Sequence, residues 1–148
     1  MSRAVVFSVL SNSTKLQNLG FTSGYILPNY DGDQRPNISI NQNNPFFMVL
    51  RWGAQRFDPR FYRGPRTLDI WVHMAREIST DYSRIDAVIE IIDPLLTGII
   101  DTPGADGQSV TSIEMMGRSV DLEDPVYQTL CRNASYKIIS RNTTTGAE

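Results

Sequence analysis

The sequence predicts an α+β fold, a two-layer sandwich with about four mainly antiparallel strands, one long amphipathic helix and a shorter N-terminal helix. Apolar residues recur every three or four positions between Ile85 and Ile99, which is the spacing of one helix face. The stretches 46–52 and 67–73 are instead rich in strand-forming residues, and the second alternates with a period of two. A helix with one apolar face needs a sheet to cover, so the two patterns predict two packed layers.

The N-terminal region is expected to hold the shorter helix. The apolar run 4–10 is compatible with a helix or a strand, and Ser13 is followed at 14–19 by a helical turn that stops at Gly20. We therefore expect a helix, or a broken helix, that ends near Gly20.

Residues 22–45 are rich in Asn, Asp, Gly and Pro and are predicted to form a long loop. The Asp31-Gly32-Asp33 triplet suggests calcium, but the further acidic positions of an EF-hand are missing. We interpret the triplet as a turn.

The first two predicted strands are joined by a hairpin-like connection at 53–65. In the second strand, alternation places Asp69, Trp71 and His73 on one face. We interpret that face as the polar side of a half-covered sheet.

The long helix carries a start signal and an interruption. Thr80, Asp81 or Ser83 can cap it, and Ser83 with Asp86 fits a capping box. Pro94 removes a backbone donor inside the apolar stripe, so a kink or break is expected near Asp93.

Two more strands are predicted at 110–117 and 136–140, with a turn at Asp124-Pro125 between them. We expect a single domain over residues 1–140, followed by a flexible tail at 141–148, where the only apolar residue is Ala147.

The composition excludes several functional classes. Fourteen Lys and Arg residues face sixteen Asp and Glu residues, so no basic field favours sequence-independent binding of nucleic acid. The single cysteine, Cys131, permits no intrachain disulfide and is expected to be a small buried thiol. No apolar run is long enough for a membrane helix, so we expect no membrane contact.

Enzymatic chemistry has little support in the sequence. His73 is the only histidine, and Asp69 lies four residues from it, roughly 13 Å along an extended strand. No nucleophile motif, phosphate-binding loop or Cys/His cluster is present, so the sequence predicts no enzyme, no cofactor and no metal. The alternative is a small hydrolase that uses His73.

A different feature points to protein contacts. Residues 56–66, RFDPRFYRGPR, combine arginines with aromatic side chains on the connection between strands, and we call them the Arg–aromatic segment. Interface cores are enriched in these residue types, although the aromatics can also fold back onto the domain. Residues 53–65 and 101–109 are expected to carry much of the contact between rings or between subunits. The predicted interface residues are Arg56, Phe57, Arg60, Phe61, Tyr62, Arg63 and Arg66.

Three stretches carry a resemblance to a known family: PFFMVLRWG, RTLDIWVHMAREISTDYSRIDAVIEII and SVTSIEMMGRSVDLEDPVYQTLCRNASYKI. From about residue 27 to 139 the chain resembles the tail terminator proteins of long-tailed (siphovirus-type) phages, especially those that infect actinobacteria. The motifs are structural, so no catalytic residue is carried over.

The resemblance implies a small α/β subunit that forms a homo-hexameric ring in the virion tail, assembled in the host cytoplasm. Such a ring caps the tail tube, stops its elongation and provides the surface that joins the head. The implied partners are further copies of the chain, the tail tube protein and the head–tail connector or stopper protein. DNA passes through the lumen without specific binding. The alternative within this class is another ring subunit of the head–tail neck or connector.

Overall fold

The computed structural model describes residues 3–28, 45–55, 65–105 and 108–142. Three α-helices, a short 3₁₀ helix at Ser23–Tyr25 and seven strands make up this part of the chain. The helices are α1 (Arg3–Ser11), α2 (Thr14–Asn18) and α3 (Tyr82–Thr97). The strands are β1 (Ile26–Leu27), β2 (Phe46–Gln55), β3 (Arg66–Ala75), β4 (Thr102–Pro103), β5 (Gln108–Arg118), β6 (Leu122–Asp124) and β7 (Thr129–Asn142).

The strands form one mixed sheet in the order β1-β2-β3-β7-β5-β4, with β6 beside β7. β1 pairs parallel to β2, and the other pairs are antiparallel. The register shifts once in β2 and twice in β5. Such bulges bend a strand and increase its twist, and the sheet curls into a half-barrel.

The predicted two-layer sandwich of four strands and one long helix is wrong. Strands take up more of the described chain than helices do, and the sheet has seven strands. Three of these strands are only two or three residues long, too short to show a period. β7 begins at Thr129, whereas the predicted strand began at Tyr136. The first half of β7 was not predicted because its polar side chains obscure the alternation of a strand.

Several individual elements lie where the sequence placed them. The stretches 46–52, 67–73 and 110–117 fall within β2, β3 and β5, and the broken N-terminal helix is α1 followed by α2. The predicted tail overlaps β7, which extends to Asn142, while residues 143–148 lie outside the described part. The Asp31-Gly32-Asp33 triplet also lies outside it.

The start of α3 differs in detail from the expectation. Asp81 is the N-cap, and its Oδ1 accepts a hydrogen bond from the Ser83 backbone N–H at 3.0 Å. Asp86 does not close a capping box but pairs with Arg132 of β7. The helix is not broken at Pro94 and continues to Thr97.

The helices pack on one face of the sheet and form the main core with it. The apolar stripe of α3 is fully buried there, and α1 and α2 add Val6, Leu10 and Leu16. The buried residues of the stripe are Ile85, Val88, Ile89, Ile92 and Leu96. Among the described helices, none is both long and apolar enough to cross a membrane.

A polar cluster fixes the C-terminal half of α3 to the sheet. Asp93 accepts a hydrogen bond from the hydroxyl of buried Tyr136 and forms an ion pair with Arg118. Burial raises the pKa of the Tyr136 hydroxyl, and its hydrogen bond to Asp93 raises it further.

Replacing Asp93 with alanine should leave the Tyr136 hydroxyl buried without its acceptor. We expect a loss of about 1–3 kcal/mol in the free energy of unfolding, measured by urea denaturation. The variant Asp93→Ala/Tyr136→Phe should lose less than the sum of the two single variants, because it removes both partners. Strict additivity would show that the two groups are not coupled.

The other face of the sheet is divided along its strands. At one end lies a small apolar cluster built from Phe47, Val49, Ala75 and Tyr127. Toward the other end, polar residues stand opposite one another across four strands. The aligned pairs are Arg51–Asp69, Asp69–Ser135 and Glu114–Lys137. A cleft lies at the boundary between these two regions.

Candidate functional site

A cleft of about 380 Å³ opens on the face of the sheet opposite the helices. Its floor comes from neighbouring strands, because Val49 stands opposite Trp71 and His73 stands opposite Cys131. One wall is β6 and the turn after it, from Leu122 to Val126. The cleft is mainly apolar, and its charged lining residues are Arg51, Glu123 and Asp124.

The turn after β6 is fixed by Asp124. Its Oδ1 accepts hydrogen bonds from the backbone N–H groups of Val126 and Tyr127, at 2.9 and 3.1 Å. This is the local pairing that makes Asp favourable before a turn. It holds the Tyr127 ring over the sheet.

His73 lies at the closed end of the cleft and is only 2% exposed. Its ring stacks on Phe47 with a centroid distance of 4.7 Å, and the edge of Tyr127 contacts both rings. Its Nδ1 and the Thr129 hydroxyl share a hydrogen bond of 2.8 Å. The interpretation of this face as the polar side of a half-covered sheet is therefore wrong at His73.

The electrostatics of this pair do not favour nucleophilic catalysis. Burial lowers the pKa of His73 to about 4, although Asp124 acts in the opposite direction. Burial and Asp124 raise the pKa of Cys131 to about 11. An activated cysteine needs a lowered pKa and a cationic neighbour, and this site provides a neutral imidazole beside a protonated thiol.

Asp69 does not assist His73 either. Its Oδ1 accepts a hydrogen bond of 2.6 Å from the Ser135 hydroxyl, in the polar region of the sheet. Among the residues that the structure describes, no group of three or more His, Cys, Asp and Glu side chains could hold a metal ion.

One edge of the sheet exposes large apolar side chains among acidic ones. It runs over residues 114–126, through the end of β5, β6 and the following turn, and we call it the acidic edge. Its exposed apolar residues are Met115 (59%), Met116 (58%), Val120 (73%) and Val126 (60%). Glu114, Asp121, Glu123 and Asp124 outnumber the one cation, Arg118.

The acidic edge is also a strand edge. From Ser112 to Arg118, β5 has no strand on its outer side among the described residues, because β4 pairs only with Ser109 and Val110. A bulge between Met115 and Gly117 interrupts this edge. Bulges at edges discourage uncontrolled strand pairing, so side-chain contacts are favoured here.

Most of the predicted interface residues lie outside the described residues, namely Arg56, Phe57, Arg60, Phe61, Tyr62 and Arg63. Arg66 is described and contacts its own chain. Its Nε donates a hydrogen bond of 2.8 Å to the Gly53 carbonyl, and its guanidinium lies 5.3 Å from the Trp52 ring centre. In the isolated chain, Arg66 therefore contributes contacts between β3 and β2.

The acidic edge was not predicted from the sequence. Its signal was present as EMMGRSVDLEDPV, where apolar and acidic residues alternate irregularly. The irregularity comes from the bulge at 115–117 and from the short break between β5 and β6. A strand period cannot survive both interruptions.

Comparison with models of known protein families gives no match. Comparison with curated proteins gives none either.

Proposed function

We propose that this chain is a structural subunit of a phage tail, which forms a homo-hexameric ring that caps the tail tube and stops its elongation. The observation that carries the proposal is the acidic edge, where several large apolar side chains are exposed within one short stretch of the chain. Exposed apolar side chains beyond scattered single ones are a mark of protein–protein contact. The sequence resemblance to tail terminator proteins is the reason for proposing a hexameric ring and not another kind of assembly.

A ring needs two different surfaces on each subunit. A head-to-tail contact that repeats with a closing rotation makes a ring, whereas a self-complementary contact stops at a dimer. The acidic edge and the Arg–aromatic segment are two such unlike surfaces on one chain. A ring of this kind has two different faces, so it can receive the tube on one and the head connector on the other.

We propose no catalytic role for His73. Its depressed pKa, its stacking on Phe47 and its hydrogen bond to Thr129 support a packing role in the apolar cluster. A hydrolase would need an activated nucleophile beside it, and the raised pKa of Cys131 disfavours one.

The proposed partners follow from the ring. They are neighbouring copies of the chain, the tail tube protein and the head–tail connector or stopper protein, in the virion tail. DNA would pass through the lumen, and the acidic balance of the chain disfavours a grip on its phosphates.

Negative-stain electron microscopy of the purified protein, alone and mixed with tail tubes of the phage that encodes it, tests this proposal. We expect sixfold rings at tube ends and tubes that no longer elongate when tube protein is added. Rings that bind the head connector but not the tube would favour the alternative neck subunit. Single particles without affinity for either would contradict both.

The variant Phe57→Ser/Phe61→Ser/Tyr62→Ser should form few or no rings, because the aromatic anchors of an interface carry much of its energy. Light scattering would measure the loss of the ring, and circular dichroism would check that the chain stays folded. Ring formation at the wild-type level would show that the Arg–aromatic segment makes no subunit contact.

A further inference from the structure

We propose that the cleft beside the acidic edge is the receptor for the Arg–aromatic segment of a neighbouring copy. The inference rests on the proposed ring and specifies the contact that builds it. One aromatic ring of the segment enters the cleft between Trp71 and Val126, and the arginines meet the carboxylates of the acidic edge.

The charges of the two surfaces are complementary. The Arg–aromatic segment has four arginines and one aspartate, a formal charge of +3, and the acidic edge has four acids and one arginine, a formal charge of −3. Arg118 forms an ion pair with Asp93, and Arg66 contacts Trp52, so one cation on each surface is already engaged. Complementary charge steers encounter and fixes the register of an interface.

The cleft has the chemistry of an aromatic pocket. Trp71 and Val49 give it an apolar floor, Leu122 belongs to its wall, and Glu123 lies exposed at its rim. Aromatic side chains buried in such pockets, with arginine at the rim, are the usual hot spots of protein interfaces. Arginine can also lie flat on an indole face or donate two parallel hydrogen bonds to the two oxygens of one carboxylate.

The geometry favours a segment from another copy. Gln55 and Arg66 are paired, so the middle of the intervening segment is about five residues from either anchor and reaches roughly 17 Å when fully extended. His73 lies seven residues from Arg66 along β3, roughly 23 Å away, and β6 lies two strand spacings further across, roughly 10 Å. The segment of the same chain would fall short of the β6 wall, whereas a neighbour has no such constraint.

Mixing two blocked variants gives the sharpest test. The receptor variant is Glu123→Arg/Val126→Ser, which changes two exposed side chains, and the segment variant is Phe57→Ser/Phe61→Ser/Tyr62→Ser. The receptor variant keeps only an intact Arg–aromatic segment and the segment variant keeps only an intact cleft, so each variant alone should remain monomeric. Their equimolar mixture retains one intact segment and one intact cleft, so it should give a heterodimer and nothing larger by native mass spectrometry. A receptor variant that forms rings would overturn the inference.

A peptide of residues 55–66 separates this contact from the ring itself. Its binding to the full-length chain, followed by fluorescence anisotropy, should weaken at least about tenfold in Glu123→Arg/Val126→Ser and fall with added salt. Glu90→Arg, an exposed acid on α3, is the matched control and should change binding little. Peptide binding without ring formation would contradict the proposed ring and support binding of the Arg–aromatic segment to the cleft. Ring formation without peptide binding would contradict binding of the segment to the cleft, and is expected if residues 29–44 of the same chain occupy the cleft.

Discussion

Replacing Ile89 with alanine is expected to lower the free energy of unfolding by about 2–5 kcal/mol. Ile89 is fully buried in the middle of the α3 stripe, between this helix and the sheet. The change removes apolar contacts and leaves a cavity that the half-barrel can fill only in part.

Urea denaturation at a fixed protein concentration measures the effect, because assembly would add a concentration-dependent term. Glu90→Ala is the matched control, since it lies on the same helix, is exposed and introduces the same residue. It should change stability by no more than about 0.5 kcal/mol. Equal losses in the two variants would contradict the placement of α3 over the core.

The second large effect is a loss of stability at mildly acidic pH that depends on His73. Its pKa is lowered from 6.5 to about 4 by burial, so the unfolded chain takes up the proton first as the pH falls. The free energy of unfolding should therefore decrease as the pH falls from about 6.5 toward 4, by about 3 kcal/mol in total. Above pH 6.5 this contribution is fully present.

The variant His73→Phe/Thr129→Val isolates that effect. It keeps a ring beside Phe47 and removes the hydroxyl that would otherwise lose its partner. Its stability should fall less between pH 6.5 and 4.5 than that of the wild type, as measured by urea denaturation across the range. The other titratable groups that line the cleft with His73 are Arg51, Glu123, Asp124 and Cys131, and all four are unchanged in the variant. Parallel pH profiles would show that His73 titrates normally.

Helix α3 and the strands β2 and β3 could be predicted because each buries one continuous face. The α3 stripe repeats every three or four residues without interruption, and Leu68, Ile70, Val72 and Met74 alternate along β3 on the core side. A local period reports burial directly, so these elements need no knowledge of the rest of the chain.

The sheet could not be predicted to the same degree. Pairing between β3 and β7 joins residues 54 to 72 positions apart, from Ala75–Thr129 to Arg66–Ile138, and no local pattern specifies such a partner. The curl arises from bulges, which break the very period that identifies a strand. The short strands β1, β4 and β6 exist only because longer strands present an edge to them.

In the candidate site, too, some features could be predicted from the local sequence and others depend on distant parts of the chain. The sequence drew attention to His73 as the only histidine, but its role depends on Phe47, Tyr127 and Thr129, which come from two stretches far from it in the sequence. The exposed apolar side chains of the acidic edge could not be told from core residues by composition alone. Solvent exposure is a property of the folded chain, and only the structure supplies it.

Native mass spectrometry of the purified wild-type protein tests the central claim, a head-to-tail assembly, most directly. The account predicts one closed species with the mass of about six copies of the 16.7 kDa chain and no open-ended series above it. A chain that stays monomeric at every concentration, or stops at a symmetric dimer, would contradict it.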